Sequence, residues 1–266
     1  MLRFSGGGVS DVGRVRPHNE DAAFLGPYVA VVADGVGGAA AGEVASATSA
    51  YVVAATALAR FGEDPAAVLV RGVEDAHASV RAGVTADPER TGMATTLTAL
   101  ATDGRRVVLA HVGDSRAYLL RDGDLSQLSH DHTYVQHLVD SGQLDADARA
   151  GHPWSNVVLR SLDGGADPSL DLTELHVRVG DRFLLCSDGL TDLVPDLEIA
   201  EALKALADPY AAAGVLVHAA NAAGGKDNVT CLVMDAQDGP EVVGDGTVLG
   251  ALTDPANIVD PASVHV

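Results

Sequence analysis

At 266 residues, with 47% apolar and 20% charged side chains, the chain can build one full-size domain, and a disordered, collagen-like or disulfide-scaffold protein is excluded. Seventeen Lys and Arg against 37 Asp and Glu give a formal charge of −20, a surface that a nucleic-acid duplex or an anionic bilayer would repel. Neither nucleic acid nor membrane is therefore expected as a partner.

The elements read as follows in chain order. Met1 to Gly8 lacks the apolar run of a signal peptide. A strand begins near Ala22, and a second runs from Tyr28 to Ala33, ending at Asp34-Gly35. Val44, Thr48, Tyr51, Val52, Ala55 and Leu58 recur at helical spacing. The uncharged stretch Val44 to Ala59 is 16 residues long, short of the roughly 20 needed to span a bilayer. A second helix starts at Asp64-Pro65, an N-cap residue followed by Pro at the first helical position, with Leu69, Val73, Ala76 and Val80 on its inner face. Strands at Thr95 to Ala101 and Arg106 to Val112 are joined through Asp103-Gly104, and strands at Arg116 to Leu120 and Leu125 to Leu128 through Asp122-Gly123. A mixed stretch from about 133 to 160 opens with a short helix around Tyr134, Leu138 and Val139. Leu170 to Val177 and Arg182 to Cys186 are predicted to pair across Gly180-Asp181. Two helices follow, one carrying Ile199, Leu203 and Leu206, the other capped by Asp208-Pro209, before a last strand at Val229 to Met234. Short turns between strands mean antiparallel sheet, and helices arriving in pairs do not alternate as βαβ units would. The class is α+β, sheets packed together with helix pairs outside. The segment 237–266 has five acidic residues and no Lys or Arg; it reads either as an ordered appendage, with edge strands at Val242-Val243 and Val248-Leu249, or as a loose acidic tail. Cys186 and Cys231 both lie inside apolar runs and read as buried thiols of a reducing compartment. A cytoplasmic protein is expected.

The chemistry lies in acids at strand ends: Asp34, Asp114, Asp188 and Asp227 each border an apolar strand, and Glu20-Asp21 precedes another. One Asp-Gly at a strand end is usually only a turn. Several at the ends of central strands could meet in one cleft, where carboxylates repel and raise one another's pKa unless a cation joins them. All-oxygen ligands select Mg²⁺ or Mn²⁺ over Zn²⁺. Gly35, Gly37 and Gly38 either turn the backbone so that a carbonyl faces an ion or simply connect strand to helix. Arg16 reads equally as a phosphate clamp or as a partner of the local acids. Rival phosphoester chemistries fail on spacing. Position 192, six after Cys186, is Asp192 and position 237 is Gln237, so neither thiol has the Arg a cysteine phosphatase needs. Ala220 and Asp227 stand where a P-loop ending at Gly225-Lys226 would need Gly and Ser or Thr. Asp122 to Ser126 lies in a hairpin turn, and a strand follows Ser115 where a nucleophile elbow requires a helix. Metal-assisted hydrolysis survives.

Six segments carry a more specific signal in this order: Arg16-Pro17-His18-Asn19-Glu20-Asp21, Val32-Ala33-Asp34-Gly35-Val36-Gly37-Gly38, Gly92-Met93-Ala94-Thr95-Thr96, Val112-Gly113-Asp114-Ser115-Arg116, Ser187-Asp188-Gly189 and Asp227-Asn228-Val229-Thr230. Together they resemble the metal-dependent type 2C serine/threonine protein phosphatase family, in its compact bacterial branch. The resemblance spans residues 5 to 235, roughly. It implies a four-layer α-β-β-α sandwich, two antiparallel sheets flanked by helix pairs, with a catalytic domain over 1–236, a flap at about 133–160 and the acidic tail or appendage over 237–266. It implies hydrolysis of phosphoserine and phosphothreonine by a metal-activated water, with two Mn²⁺ or Mg²⁺ ions and a third in bacterial members. Arg16 and Asp34 are the candidate catalytic residues: Arg16 binds the substrate phosphate, and Asp34 bridges two ions, with the Gly35 carbonyl on one of them. Asp188 and Asp227 complete the other. Asp21, beside Glu20, holds water at the ions or ligates directly, and Asp114 shares a third ion with Asp188. Partners are phosphorylated proteins, substrates of Ser/Thr kinases, met by a monomer. Trp154 falls in the flap and is expected to pack there. One departure stands out: Val36 occupies the position at which animal members carry His as general acid. Two other readings remain open, a phosphatase-like binding module and a hydrolase of small phosphoesters.

Overall fold

The computed structural model describes residues 1–36, 41–149, 152–165, 169–244 and 246–260. Two antiparallel sheets lie face to face. The first has five strands in the order β1 (Leu2–Asp11), β11 (Val229–Asp238), β10 (Arg182–Cys186), β7 (Arg116–Arg121) and β8 (Asp124–Gln127). The second runs β12 (Thr247–Gly250), β2 (Asp21–Leu25), β3 (Val29–Val36), β5 (Leu97–Thr102), β6 (Val107–Val112) and β9 (Asp171–Leu175), with the short β4 (Ala94–Thr95) also on β3. Helices α1 (Gly42–Ala59) and α2 (Pro65–Ala86) cover the second sheet. Helices α5 (Asp196–Ala205) and α6 (Pro209–Ala222) cover the first. The short α3 (Tyr134–Asp140) and α4 (Asp188–Thr191) sit at connections. The fold is thus the α+β four-layer sandwich.

Alternation along the strands produces the layers. On β3, Ala30 and Val32 point between the sheets, against Phe183, Leu185 and Leu232, whereas Val29, Val31 and Ala33 point outward against Ala47, Val53 and Leu69 of the helices. Both faces are therefore apolar, and the central strands read as continuous hydrophobic runs. The helix starts obey their sequence signals: Asp64 accepts the Ala66 N–H ahead of Pro65, and Asp208 accepts those of Tyr210 and Ala211 around Pro209. Among the described residues no helix is long and apolar enough to cross a membrane. Cys186 and Cys231 are register partners on β10 and β11, both buried and unbridged, and burial pushes the Cys186 thiol up to about 12.

Three expectations change. Strands 171–175 and 182–186 do not form a hairpin; β9 pairs with β6 in one sheet and β10 with β7 and β11 in the other. The Gly180-Asp181 turn bonds the end of β11 instead: Gly180 N–H donates to the Ala236 carbonyl and Ala236 N–H to that of Asp181. The buried Asp181 carboxylate takes Arg121 at 2.7 and 2.6 Å, fixing the crossing between sheets. Strand β1 has no counterpart in the sequence reading, because Gly6, Gly7 and Gly8 carry no strand signal. Those glycines sit where Val233, Tyr210 and Leu232 approach too closely for a side chain. Val242-Val243 makes no strand, and Val243 is almost fully exposed. Val248-Leu249 does, in β12 on β2, and residues 251–259 continue onto α1, where Val259 N–H donates to Thr48 Oγ1.

Within 133–160, Thr133 caps α3 by accepting the Gln136 N–H, and a bridge joins Thr133 to Val158. Trp154 is half exposed and meets Tyr134 edge-on at 5.3 Å. Residues 150 and 151 lie outside the described residues.

Candidate active site

The acids gather at one end of the sandwich because strands of both sheets end there. Asp21 opens β2 and Asp34 lies near the end of β3, directly opposite each other in the antiparallel register. Opposed residues project to the same face, so the two carboxylates are neighbours. Asp114 follows β6; Asp188 follows β10 at the start of α4; Asp227 precedes β11. Asp114, Asp188 and Asp227 line a cleft of about 480 Å³, together with Asp192, Lys226 and, from the 133–160 segment, Arg149. Asp21 is fully buried and Asp34 half-buried, and neither is among the residues that line this cleft.

Backbone contacts hold this geometry. Thr95 Oγ1 donates to the Asp34 carbonyl at 2.8 Å, Thr96 N–H to the same carbonyl at 2.9 Å, and Asp34 N–H to Thr96 Oγ1 at 3.0 Å. Thr96 Oγ1 in turn lies 2.7 Å from Ser115 Oγ, beside Asp114. The Thr95-Thr96 pair thus ties two acidic strand ends together. Gly35 is required by space: a Cβ there would stand 2.6 Å from the Gly42 carbonyl carbon and oxygen. Gly37 and Gly38 lie outside the described residues. Asn228 clasps the loop that carries Arg16: its Nδ2 donates to the carbonyls of Val12 and His18 at 2.9 Å, and its Oδ1 accepts Glu20 N–H at 2.8 Å. Arg16 Nη2 meets Asp227 Oδ2 at 2.7 Å. The partner is thus an acid 211 residues away, not one of the local acids Glu20 and Asp21 that the sequence offered, and the neighbouring His18 is exposed.

The electrostatics are those of like charges held close. Burial, opposed by the hydrogen bonds of Ser187 and Thr230, pushes Asp21 up to about 6. Burial and the charges of Asp21, Asp188, Asp114 and Asp227 drive Asp34 well above the usual carboxylate range. Asp188 is raised in the same way, by burial and then Asp114 and Asp192, and burial with Asp131 and Asp192 lifts Asp114 to about 7. Glu20 is raised by burial and by Glu43. Asp34 therefore stands within electrostatic reach of the four other acids.

A divalent cation fits this donor set. The acids supply only oxygen, their mutual repulsion is what a cation relieves, and Asp21 Oδ1 is buried with no hydrogen-bond partner among the described residues. Among those residues no three His, Cys, Asp or Glu side chains already stand as a finished coordination shell. Asp227 is turned to Arg16, and Asp21 Oδ2 to Ser187 and Thr230.

Sequence reasoning overlooked several members. Asp192, on the cleft wall, entered it only as the absent arginine of a cysteine phosphatase. The roles of Thr96, Ser187, Asn228 and Thr230 were hidden although their segments were noted, because hydroxyls and amides act here through partners far along the chain. Asp131 carried no signal. It holds Arg116 by Nε at 2.9 Å and Nη2 at 2.5 Å on the cleft wall.

The family profile described as Protein phosphatase 2C matches residues 18–222. The serine/threonine protein phosphatase PstP of Mycobacterium tuberculosis is 43% identical over 230 residues, 86% of this chain and 44% of that protein. The chain thus spans less than half the length of this relative. The serine/threonine phosphatase stp of Listeria monocytogenes is 34% identical over 235 residues, 85% of this chain and 93% of that one. Among solved structures, the catalytic domain of PstP in complex with two manganese ions superposes with a TM-score of 0.79 at 42% identity, covering 90% of this chain and 100% of that one.

Proposed function

The chain belongs to the protein phosphatase 2C family, and on that premise we propose that it is a metal-dependent protein phosphatase hydrolysing phosphoserine and phosphothreonine. The observation that carries the reading is the gathering of Asp21, Asp34, Asp114, Asp188 and Asp227 from strands of both sheets, with one buried oxygen of Asp21 left unpaired. Asp34, Asp188 and Asp227, with the Gly35 carbonyl, would hold two Mn²⁺ or Mg²⁺ ions; Asp21 would face them, and Asp114 with Asp188 would hold a third. When bound, such ions lower the pKa of water toward neutrality and offset charge on phosphoryl oxygens. The manganese in the PstP structure belongs to that protein and supports the choice of metal here.

The chain's own residues do the rest. Arg16 leaves Asp227 to present its planar fork to the phosphate of a substrate entering the cleft. Asn228 holds the Arg16 loop at the distance that reach requires. Val36 has no proton to give, so the departing seryl or threonyl oxygen needs its proton from solvent, from water held at the ions or from another side chain. The segment 133–160 supplies Arg149, Ser155 and Asn156 to the cleft wall and meets the polypeptide around the phosphate. The substrates are phosphorylated proteins made by Ser/Thr kinases, met by the monomer.

Phosphate release from phosphoserine and phosphothreonine peptides should require Mn²⁺ or Mg²⁺ and stop on chelation. Inertness toward such peptides at saturating Mn²⁺ would remove the reading, and faster turnover of nucleotide monoesters would replace it with small-phosphoester hydrolysis. Arg16→Ala is expected to lower kcat/KM about 10- to 100-fold, the value of a charge-assisted hydrogen bond, mostly through KM. An unchanged KM in steady-state kinetics on a phosphopeptide would take the phosphate from Arg16.

A further inference from the structure

The carboxylate of Asp21 has no exposed surface, and its two oxygens are treated differently. Oδ2 accepts two hydrogen bonds of 2.7 Å, from Ser187 Oγ and Thr230 Oγ1. Oδ1 is buried and accepts from no amide or hydroxyl donor among the described residues, with the carboxyl of Asp34 alongside Asp21. The two hydroxyls are themselves held. Ser187 Oγ accepts Thr230 N–H at 2.9 Å, which leaves its hydrogen for Asp21. Thr230 Oγ1 lies 2.7 Å from Ser10 Oγ, and Ser10 Oγ accepts from Asn19 Nδ2 at 2.9 Å.

A hydroxyl has one hydrogen to give, and an ionised carboxylate only accepts. Thr230 spends its hydrogen on Asp21, so Ser10 donates to Thr230, and Asn19 donates to Ser10. The direction of the whole relay is fixed. Asn19 Oδ1 closes it by accepting Asp21 N–H at 3.2 Å. Ser10 and Thr230 are register partners on β1 and β11, and Ser187 follows β10, all in the five-stranded sheet. Asp21 opens β2 in the other sheet. The relay therefore crosses between the sheets at the site end.

Resting on the proposed reading that Asp21 faces the ions, we infer that Ser187 and Thr230 are positioning residues whose paired hydroxyls occupy Oδ2, lock the plane of the carboxylate and leave Oδ1 as the oxygen presented to divalent cations. Without them the carboxylate can turn either oxygen to the site, and the ordering cost moves to the moment of ion binding. Partners that orient a metal-binding carboxylate typically account for about 10- to 100-fold in metal affinity.

The test is calorimetric titration of Mn²⁺ into the intact, ion-stripped chain, with its unfolding temperature in chelator recorded alongside. Ser187→Ala and Thr230→Val should weaken Mn²⁺ binding about 10- to 100-fold. Thr230→Ser, which keeps the hydroxyl, should titrate as the wild type does. A purely structural role would lower the ion-free unfolding temperature and leave the isotherms alone; Ser187→Ala and Thr230→Val binding Mn²⁺ as the wild type does overturns the inference. Should Thr230→Val not fold, Ser187→Ala decides by the same criterion. A wild type that takes up no Mn²⁺ would sink the proposed function itself, a result distinct from equal isotherms.

Discussion

Asp34→Asn should cut phosphopeptide turnover by about 10³-fold or more, equivalent to about 4 kcal/mol in the barrier, while the ion-free protein becomes more stable. Both effects come from one cause. Asp34 stands half-buried among Asp21, Asp188, Asp114 and Asp227, whose charges raise its pKa far above the ordinary range. An ionised carboxylate there is a cost to the fold, which the proposed ions would offset. The amide removes the charge at nearly constant shape and keeps the backbone bonds to Thr95 and Thr96. Relief of such a functional conflict commonly stabilises by roughly 0.5–2 kcal/mol. The measurement is paired: initial rates with Mn²⁺, and urea unfolding in chelator. Full Mn²⁺-dependent turnover in the variant would deny Asp34 its bridging place, and loss of activity together with loss of stability would mean a damaged fold.

Asp131→Ala should be among the most destabilising single changes near the cleft, by about 3–5 kcal/mol, the usual result of stranding one partner of a buried ion pair. Arg116 and Asp131 are 13% and 4% exposed on the cleft wall, so the guanidinium left behind loses its close carboxylate while only its edge meets solvent. Asp131 also accepts Gln127 Nε2 at 2.8 Å, and Arg116 Nη1 donates to Tyr118, whose hydroxyl donates to Asp196. Losing the carboxylate thus loosens β7, β8 and the start of α5 together. At about 2–4 °C per kcal/mol for chains of this size, the unfolding temperature should fall by about 10 °C. Replacing both partners with apolar residues, as in Arg116→Met with Asp131→Leu, should recover most of the loss, because no charge is then left buried. A double variant no more stable than Asp131→Ala would show that the network, and not the stranded charge, sets the cost.

Much of this fold is written in local patterns of the chain. Alternating and continuous apolar runs, Asp-Gly turns and Asp-Pro helix starts are local signals, read within a few residues, and they placed most strands, both helix pairs and the acids at strand ends. The ordered segments from Arg16 to Thr230 carried the family resemblance. The remaining features depend on partners distant in the chain. Local pattern cannot say which sheet a strand joins, so β9 and β10 read as one hairpin although Asp181 and Ala236 send them to opposite sheets. Nor can it see β1, whose glycines answer to the neighbours that crowd them. The hydroxyls on Asp21 come from positions 166 and 209 residues away, and Arg16 meets Asp227 across 211. A hydroxyl or a carboxylate has no periodicity to announce its partner; packing of the two sheets makes that choice, because a buried polar group must be satisfied wherever the fold happens to bring one within reach.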